Sequence, residues 1–264
     1  MENYSAQTLR KRSQLSFIWF RFRKNKLALF GLILLVIIAA ICITAPLYIS
    51  YEDDVVTQHV VEKFTKPFTD GSILGTDQYG RDLLARIIWG GRISLSMGFI
   101  IVAMSLVVGG MIGAVAGYYG GKIDNVLMRL MDVFLAIPQI LMAMAIVAVL
   151  GTDIKNLMIA MTISNVPKFA RIVRSAILQI QGQEYVEAAL ACGTRDLRII
   201  LRHIIPNAIG PIIVQATLQI GQTIISLASL SFVGLGVQSP DPEWGTMLSE
   251  GKQDMRLYPF VVIE

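Results

Sequence analysis

The side chains best placed to do chemistry are gathered between residues 184 and 207, EYVEAALACGTRDLRIILRHIIPN. Glu184, Glu187, Arg195, Asp196, Arg198, Arg202 and His203 stand there between two strongly apolar stretches. The chemistry they offer is recognition through shape and charge; no residue of the chain is assigned a covalent step. The small residues Ala188, Ala189 and Ala191 let another surface come close. Gly193 suits the left-handed position that ends a helix. Thr194 can cap a second helix, which Asp196 near its start favours, and Pro206 breaks or kinks the chain before the next apolar run. The pattern predicts a compact helix–Gly–helix element at a membrane surface. So short a helix buries little by itself, so the element is expected to dock on something.

Other chemistries are excluded by spacing. Cys42 and Cys192 lie far apart, and no Cys/His cluster has metal-ligand spacing, so no metal and no disulfide are expected. The acidic outer segment lacks the ligand order of a calcium loop. Gly120-Gly121-Lys122 suggests a phosphate loop, but Ala116 stands where its first Gly is required and Ile123 where Ser or Thr is required. The chain is therefore expected to bind no cofactor, and any ATP and Mg to sit on other subunits. A different constellation is Gln215, Gln219, Gln222, Ser226 and Ser229, whose +4, +3, +4, +3 spacing puts all five on one helical face. Such a stripe does not face lipid cheaply. Two readings stand side by side: it lines a translocation pathway, or it hydrogen-bonds neighbouring helices. Arg129 and Asp132 are three apart near the inner end of an apolar run. They read as a local ion pair at the membrane edge, with an inner-gate contact as the other reading.

These residues must be positioned by membrane-spanning helices. Of 264 residues 54% are hydrophobic and only 16% are charged, against about 25% charged in globular domains. The net charge of +4 reflects loop topology rather than nucleic-acid binding. The composition implies an all-α polytopic membrane protein, with lipid as one partner. Residues 1–26, basic with an aromatic cluster, read as an interfacial segment on the cytoplasmic face. Residues 27–49 form the first span and 50–92 an extracytoplasmic segment. Residues 93–264 form the core, with spans at 93–118, 128–150, about 156–177 and 207–236. Within the second, Gly109, Gly113 and Gly117 make a small-residue ridge for close helix packing. Basic segments at 1–26, 168–174 and 195–202 all fall inside if the N-terminus is inside. The closing YPFVVIE is too short to cross.

Glu187-Ala188-Ala189, Gly193 and Pro206 thirteen residues later together resemble the EAA loop of ABC importer permeases. His203 and Ile205 depart from its usual Ile and Leu without changing the Gly-to-Pro spacing. The string Leu74-Gly75-Thr76-Asp77-Gln78-Tyr79-Gly80-Arg81-Asp82, with Arg86-Ile87-Ile88 and Gly91-Arg92-Ile93-Ser94, is similar to the dipeptide, oligopeptide and nickel branch, in its C-type subunit. Ser239-Pro240-Asp241-Pro242-Glu243-Trp244-Gly245 fits the same branch. The resemblance implies a type I ABC importer transmembrane domain in a bacterial or archaeal cytoplasmic membrane. It implies a second homologous permease subunit, two ATP-binding subunits and an extracytoplasmic solute-binding protein. It makes residues 184–206 the coupling loop, with Glu184, Glu187, Ala188, Ala189 and Gly193 in contact with the ATPase and Arg195 and Arg198 in support. Asp77, Gly80, Arg81 and Asp82 become an outer-mouth turn near the binding protein, or a capped start to the second span. The solute is expected to be a di- or oligopeptide, with nickel or another small solute as the alternative and a secondary transporter or channel less favoured. Family members carry a sixth span beyond the five expected here.

Overall fold

The computed structural model describes residues 23–69 and 71–263. The expected interfacial segment therefore lies largely outside the described residues. The chain divides into two compact units, 1–44 and 45–264. In the first, α1 (Lys26–Thr44) is apolar between its two end residues and almost wholly exposed, as a helix meant to face lipid is.

The second unit is helical among the described residues, with only two isolated backbone bridges. Its axis is α2 (Leu83–Tyr119), 37 residues long and so about 55 Å at 1.5 Å per residue. That exceeds the roughly 30 Å apolar core of a bilayer. Gly120, with φ of 59°, ends it. There follow α3 (Gly121–Leu135), α4 (Gln139–Leu150), α5 (Ile154–Gln181), α6 (Glu184–Ala191), α7 (Asp196–Ile199) with a π-turn over Ile200–Ile204, α8 (Ile205–Phe232) and α9 (Trp244–Gly251).

The glycine ridge explains the central pairing. A Cβ at Gly109 would lie 2.5 Å from the Val166 carbonyl oxygen, and one at Gly113 2.3 Å from that of Ala170. With no apolar–aqueous contrast between lipid and protein, such backbone contact is what holds helices together, and α2 packs along α5 on this ridge.

One expectation needs correction. Residues 128–150 are not one straight span: α3 and α4 meet at 83°. The break falls at Pro138, which lacks an N–H and pushes the preceding residue out of the helical region. Pro167, by contrast, does not interrupt α5, which runs through it. By length and apolarity, Lys26–Leu47, Leu83–Tyr119 and Asp196–Phe232 can each cross a membrane, and the bent pair would make a fourth. α5 carries Lys155, Lys168, Arg171 and Arg174 and is not apolar enough by that measure. It packs against α2, α4 and α8, and Arg171 and Arg174 pair with Asp132 and Asp124 of α3.

Candidate coupling, pathway and outer-plate sites

The 184–206 stretch folds as helix, turn and helix. In the turn, the Gly193 N–H donates to the Leu190 carbonyl at 2.9 Å and the Thr194 N–H to that of Ala189 at 3.2 Å. With Gly193 at φ of 71° this is the paired-bond Schellman ending. Thr194 does not cap the second helix: Arg195 occupies the N-cap position of α7 and makes no side-chain cap bond. Val186, Ala189, Ile199, Ile200 and Ile204 turn inward onto Tyr118, Val173 and Ile177. The Tyr118 hydroxyl donates to Asp196 at 2.9 Å, and Gln181 Nε2 donates to the Tyr118 carbonyl at 2.8 Å. The element is thus fixed to the ends of α2 and α5.

Glu184, Glu187, Ala188, Gly193, Arg195 and Arg198 remain exposed. Ala189 does not share their face: it lies three residues after Val186 and faces the core with it. Tyr185, Leu190 and Leu197 are exposed apolar members of the outer surface that the charged pattern did not single out.

The polar stripe of α8 is split. Gln219 is buried and donates to Asn165 Oδ1 at 2.9 Å. Gln139 Nε2 donates to the same oxygen at 3.0 Å, and Asn165 Nδ2 to Thr223 Oγ1 at 3.4 Å. For Gln219 the interhelical reading therefore holds, not the lining one. Ser226 and Ser229 donate to the Gln222 and Ile225 carbonyls one turn back. Gln222 is exposed, and Gln215 lines a groove of about 300 Å³ together with Arg171, Ser175 and Gln179. The reason is geometric. At about 100° per residue, the stripe centres roughly 60–80° away from the buried face of Ile212, Thr223, Leu227 and Leu230, and only Gln219 falls within that face.

The inner ion pair is also different from expectation. Asp132 accepts from Arg171 Nη2 at 2.6 Å, across helices, while Arg129 is exposed and forms no ion pair among the described residues. A second cross-helix pair, Arg174 with Asp124, is bidentate at 2.5 and 2.6 Å.

At the other end of α2 the LGTDxxGRD string builds a plate. Asp82 caps α2, accepting from the Ala85 N–H at 2.8 Å. Asp77 Oδ1 accepts from the N–H groups of Tyr79 and Arg81 at 2.8 and 3.0 Å. Gly80 holds φ of 77°, and a Cβ there would meet the His59 carbonyl oxygen at 1.9 Å. Arg81 and Arg86 are fully buried. Arg81 pairs with Asp77 at 2.6 Å and Glu250 at 2.9 Å; Arg86 reaches the same two carboxylates at 3.5 and 3.4 Å. Arg86 Nη1 also donates to the carbonyls of Val55 and Pro240. Two guanidiniums and two carboxylates thus join segments that are distant in sequence. Glu250 was invisible to motif reading because nothing near it in sequence marks it. The 239–245 turn closes the plate: buried Glu243 caps α9 and accepts from Ser94, Trp244 Nε1 donates to the Ile87 carbonyl at 3.0 Å, and the Tyr51 hydroxyl donates to Asp241. Burial, aided by that hydrogen bond, pushes the Tyr51 phenol up to about 12.

Residues 109–263 match the family described as "Binding-protein-dependent transport system inner membrane component", and residues 13–67 match the "N-terminal TM domain of oligopeptide transport permease C". A dipeptide transport system permease protein of Alkalihalophilus pseudofirmus is 44% identical over 243 residues, covering 92% of this chain and 79% of that protein. A dipeptide transport system permease protein of Haemophilus influenzae is 38% identical over 97% of this chain and 88% of its own length. A glutathione transport system permease protein of Pectobacterium atrosepticum is 38% identical over 93% and 81%. Among solved structures, an inward-facing form of the MetNI methionine ABC transporter superposes with a TM-score of 0.56 at 20% identity, over 69% of this chain and 88% of that one. The ridge-packed helices, the helix–Gly–helix element and these matches agree: the chain belongs to the binding-protein-dependent family of ABC importer inner-membrane permeases, in its C-type branch.

Proposed function

We propose that this chain is the C-type permease subunit of an ATP-driven importer of di- and oligopeptides, delivered by an extracytoplasmic solute-binding protein. The relatives, named for dipeptide and glutathione transport, support a peptide solute over nickel. The partners are a second homologous permease and two ATP-binding subunits, which hold the ATP and Mg. The chain crosses the membrane five times, through α1, α2, the bent α3–α4 pair, α5 and α8, from a cytoplasmic N-terminus. No step of hydrolysis occurs on this chain; its work is alternating access. Closure of the ATPase dimer moves the 184–199 element, and the helices bound to it open the pathway outward.

The observation that carries this reading is the exposed face of Glu184, Glu187, Ala188, Gly193, Arg195 and Arg198 on an element anchored through Tyr118 and Asp196 to the core. A surface moved there carries α2 with it. The test is ATP-driven uptake by the reconstituted complex in proteoliposomes, with di- and oligopeptides and nickel as competing solutes. Gly193→Val places a β-branched residue at φ of 71°. The left-handed region costs such a residue roughly 1–2 kcal/mol or more, and the docking face tilts. Peptide uptake is expected to fall at least about tenfold while the subunits still co-purify. Peptide uptake independent of ATP in the intact wild-type complex would remove the importer reading.

A further inference from the structure

The α8 stripe has a counterpart on α5. Lys168, Arg171, Ser175 and Gln179 recur at +3, +4, +4 and share one face. Two of its basic residues have unequal partners. Arg171 is paired with Asp132. Lys168 is half-buried and donates to Gln139 Oε1, and it forms no ion pair among the described residues. That acceptor is fixed: Gln139 Nε2 is committed to Asn165, which also takes the Gln219 amide, so Gln139 can offer Lys168 only its neutral oxygen. An ammonium has three donors, and one of Lys168's is used. A partly buried cation with only an uncharged partner favours an anion beside it. The residue is partly exposed. Its partner Gln139 is the first residue of α4, just past the 83° break at Pro138. One turn along α5 lies the groove of about 300 Å³ lined by Arg171, Ser175, Gln179 and Gln215. On this α5 face Lys168 thus stands one turn from a groove lined by Arg171, Gln179 and Gln215, and of the two cations on the face it is the one without a carboxylate partner among the described residues.

On the reading that the solute is a peptide, we infer that Lys168 is a substrate-contacting residue that receives the α-carboxylate of the peptide in transit. Every linear peptide with a free C-terminus carries that group whatever its side chains. The uncharged amides of Gln179 and Gln215 in the neighbouring groove match the backbone N–H and C=O groups of a peptide. The ammonium therefore recognises the end of the chain without selecting its sequence, and the neutral partner lets the carboxylate leave again.

The test uses the complete complex in proteoliposomes, with a free-acid dipeptide as the probe. Uptake is measured beside the ATPase stimulation by loaded binding protein, for wild type, Lys168→Gln and Lys168→Arg. Lys168→Gln should lower uptake at least about tenfold, the worth of one charge-assisted contact, with co-purification and ATPase stimulation unchanged. Lys168→Arg should restore uptake to within about threefold of wild type. Unchanged uptake in Lys168→Gln, while the wild type transports, overturns the carboxylate role and leaves the importer reading intact. Loss of co-purification in Lys168→Gln also overturns it, because Lys168 would then pair with another subunit. Equal loss in Lys168→Arg overturns it as well, since charge would not be what matters. Absence of ATP-dependent peptide uptake in the wild type is the separate result that removes the underlying peptide reading, and the Lys168 role with it.

Discussion

Replacing Arg81 by Ala is expected to cost about 3–5 kcal/mol of stability, because it leaves buried carboxylates without their compensating charge. Arg81 is fully buried, 2.6 Å from Asp77 and 2.9 Å from Glu250. Removing it leaves two carboxylates facing Arg86 alone, at 3.5 and 3.4 Å. The Asp77 turn then loses the side chain that holds it to α9. Glu250→Gln should act in the same direction, since it leaves two guanidiniums with a single carboxylate. The comparison is Lys63→Ala, an exposed residue whose loss should change stability by no more than about 0.5 kcal/mol. Detergent-titrated unfolding of the purified complex measures all three. An Arg81→Ala protein as stable as the Lys63→Ala control would mean that the four charges are hydrated and do not hold the plate.

The second large effect is expected along one helix. Gly113→Ala brings a Cβ to 2.3 Å from the Ala170 carbonyl oxygen and 3.0 Å from the Arg174 backbone nitrogen. The obstructing atoms are backbone of a packed helix, so no rotamer change relieves them. The helices must separate, at about 1–3 kcal/mol for an overpacked site. Gly110→Ala supplies the contrast. Its nearest neighbour would be a Val173 methyl at 3.8 Å, an ordinary contact, and Ala gains roughly 0.5–1 kcal/mol over Gly in a helix. The two substitutions, three residues apart and chemically identical, should therefore shift the unfolding midpoint in opposite directions. The same sign for both would mean that α2 and α5 do not meet on the ridge. Tyr118, which holds Asp196, sits on the same helix, so separation at Gly113 should also loosen the coupling element.

Much of this was legible in the sequence because it is local or periodic. Gly193 ends its helix in the left-handed conformation because no other residue adopts it as cheaply. The Gly109–Gly113–Gly117 ridge was readable because a spacing of four keeps residues on one face whatever surrounds them. Asp82 before an apolar run announces a cap. Family membership rests on such strings, whose residues act through their own backbone.

What only the tertiary structure decided is which faces meet. Sequence places Gln215, Gln219 and Gln222 on one stripe, but whether that stripe points to a neighbour depends on the rotation of α8 against α5. That rotation is set by Ile212, Thr223 and Leu227, so Gln219 is drawn into the Asn165 network while Gln222 stays out. Ala188 and Ala189 are indistinguishable by type, and the inward position of Val186 separates them. Asp132 takes Arg171 rather than Arg129, because α3 packs against α5 and brings that helix's cation within 2.6 Å. Glu250 joins Arg81 across 169 positions of chain. Periodicity within one helix carries no information about such a partner; only the closed packing of the plate supplies it.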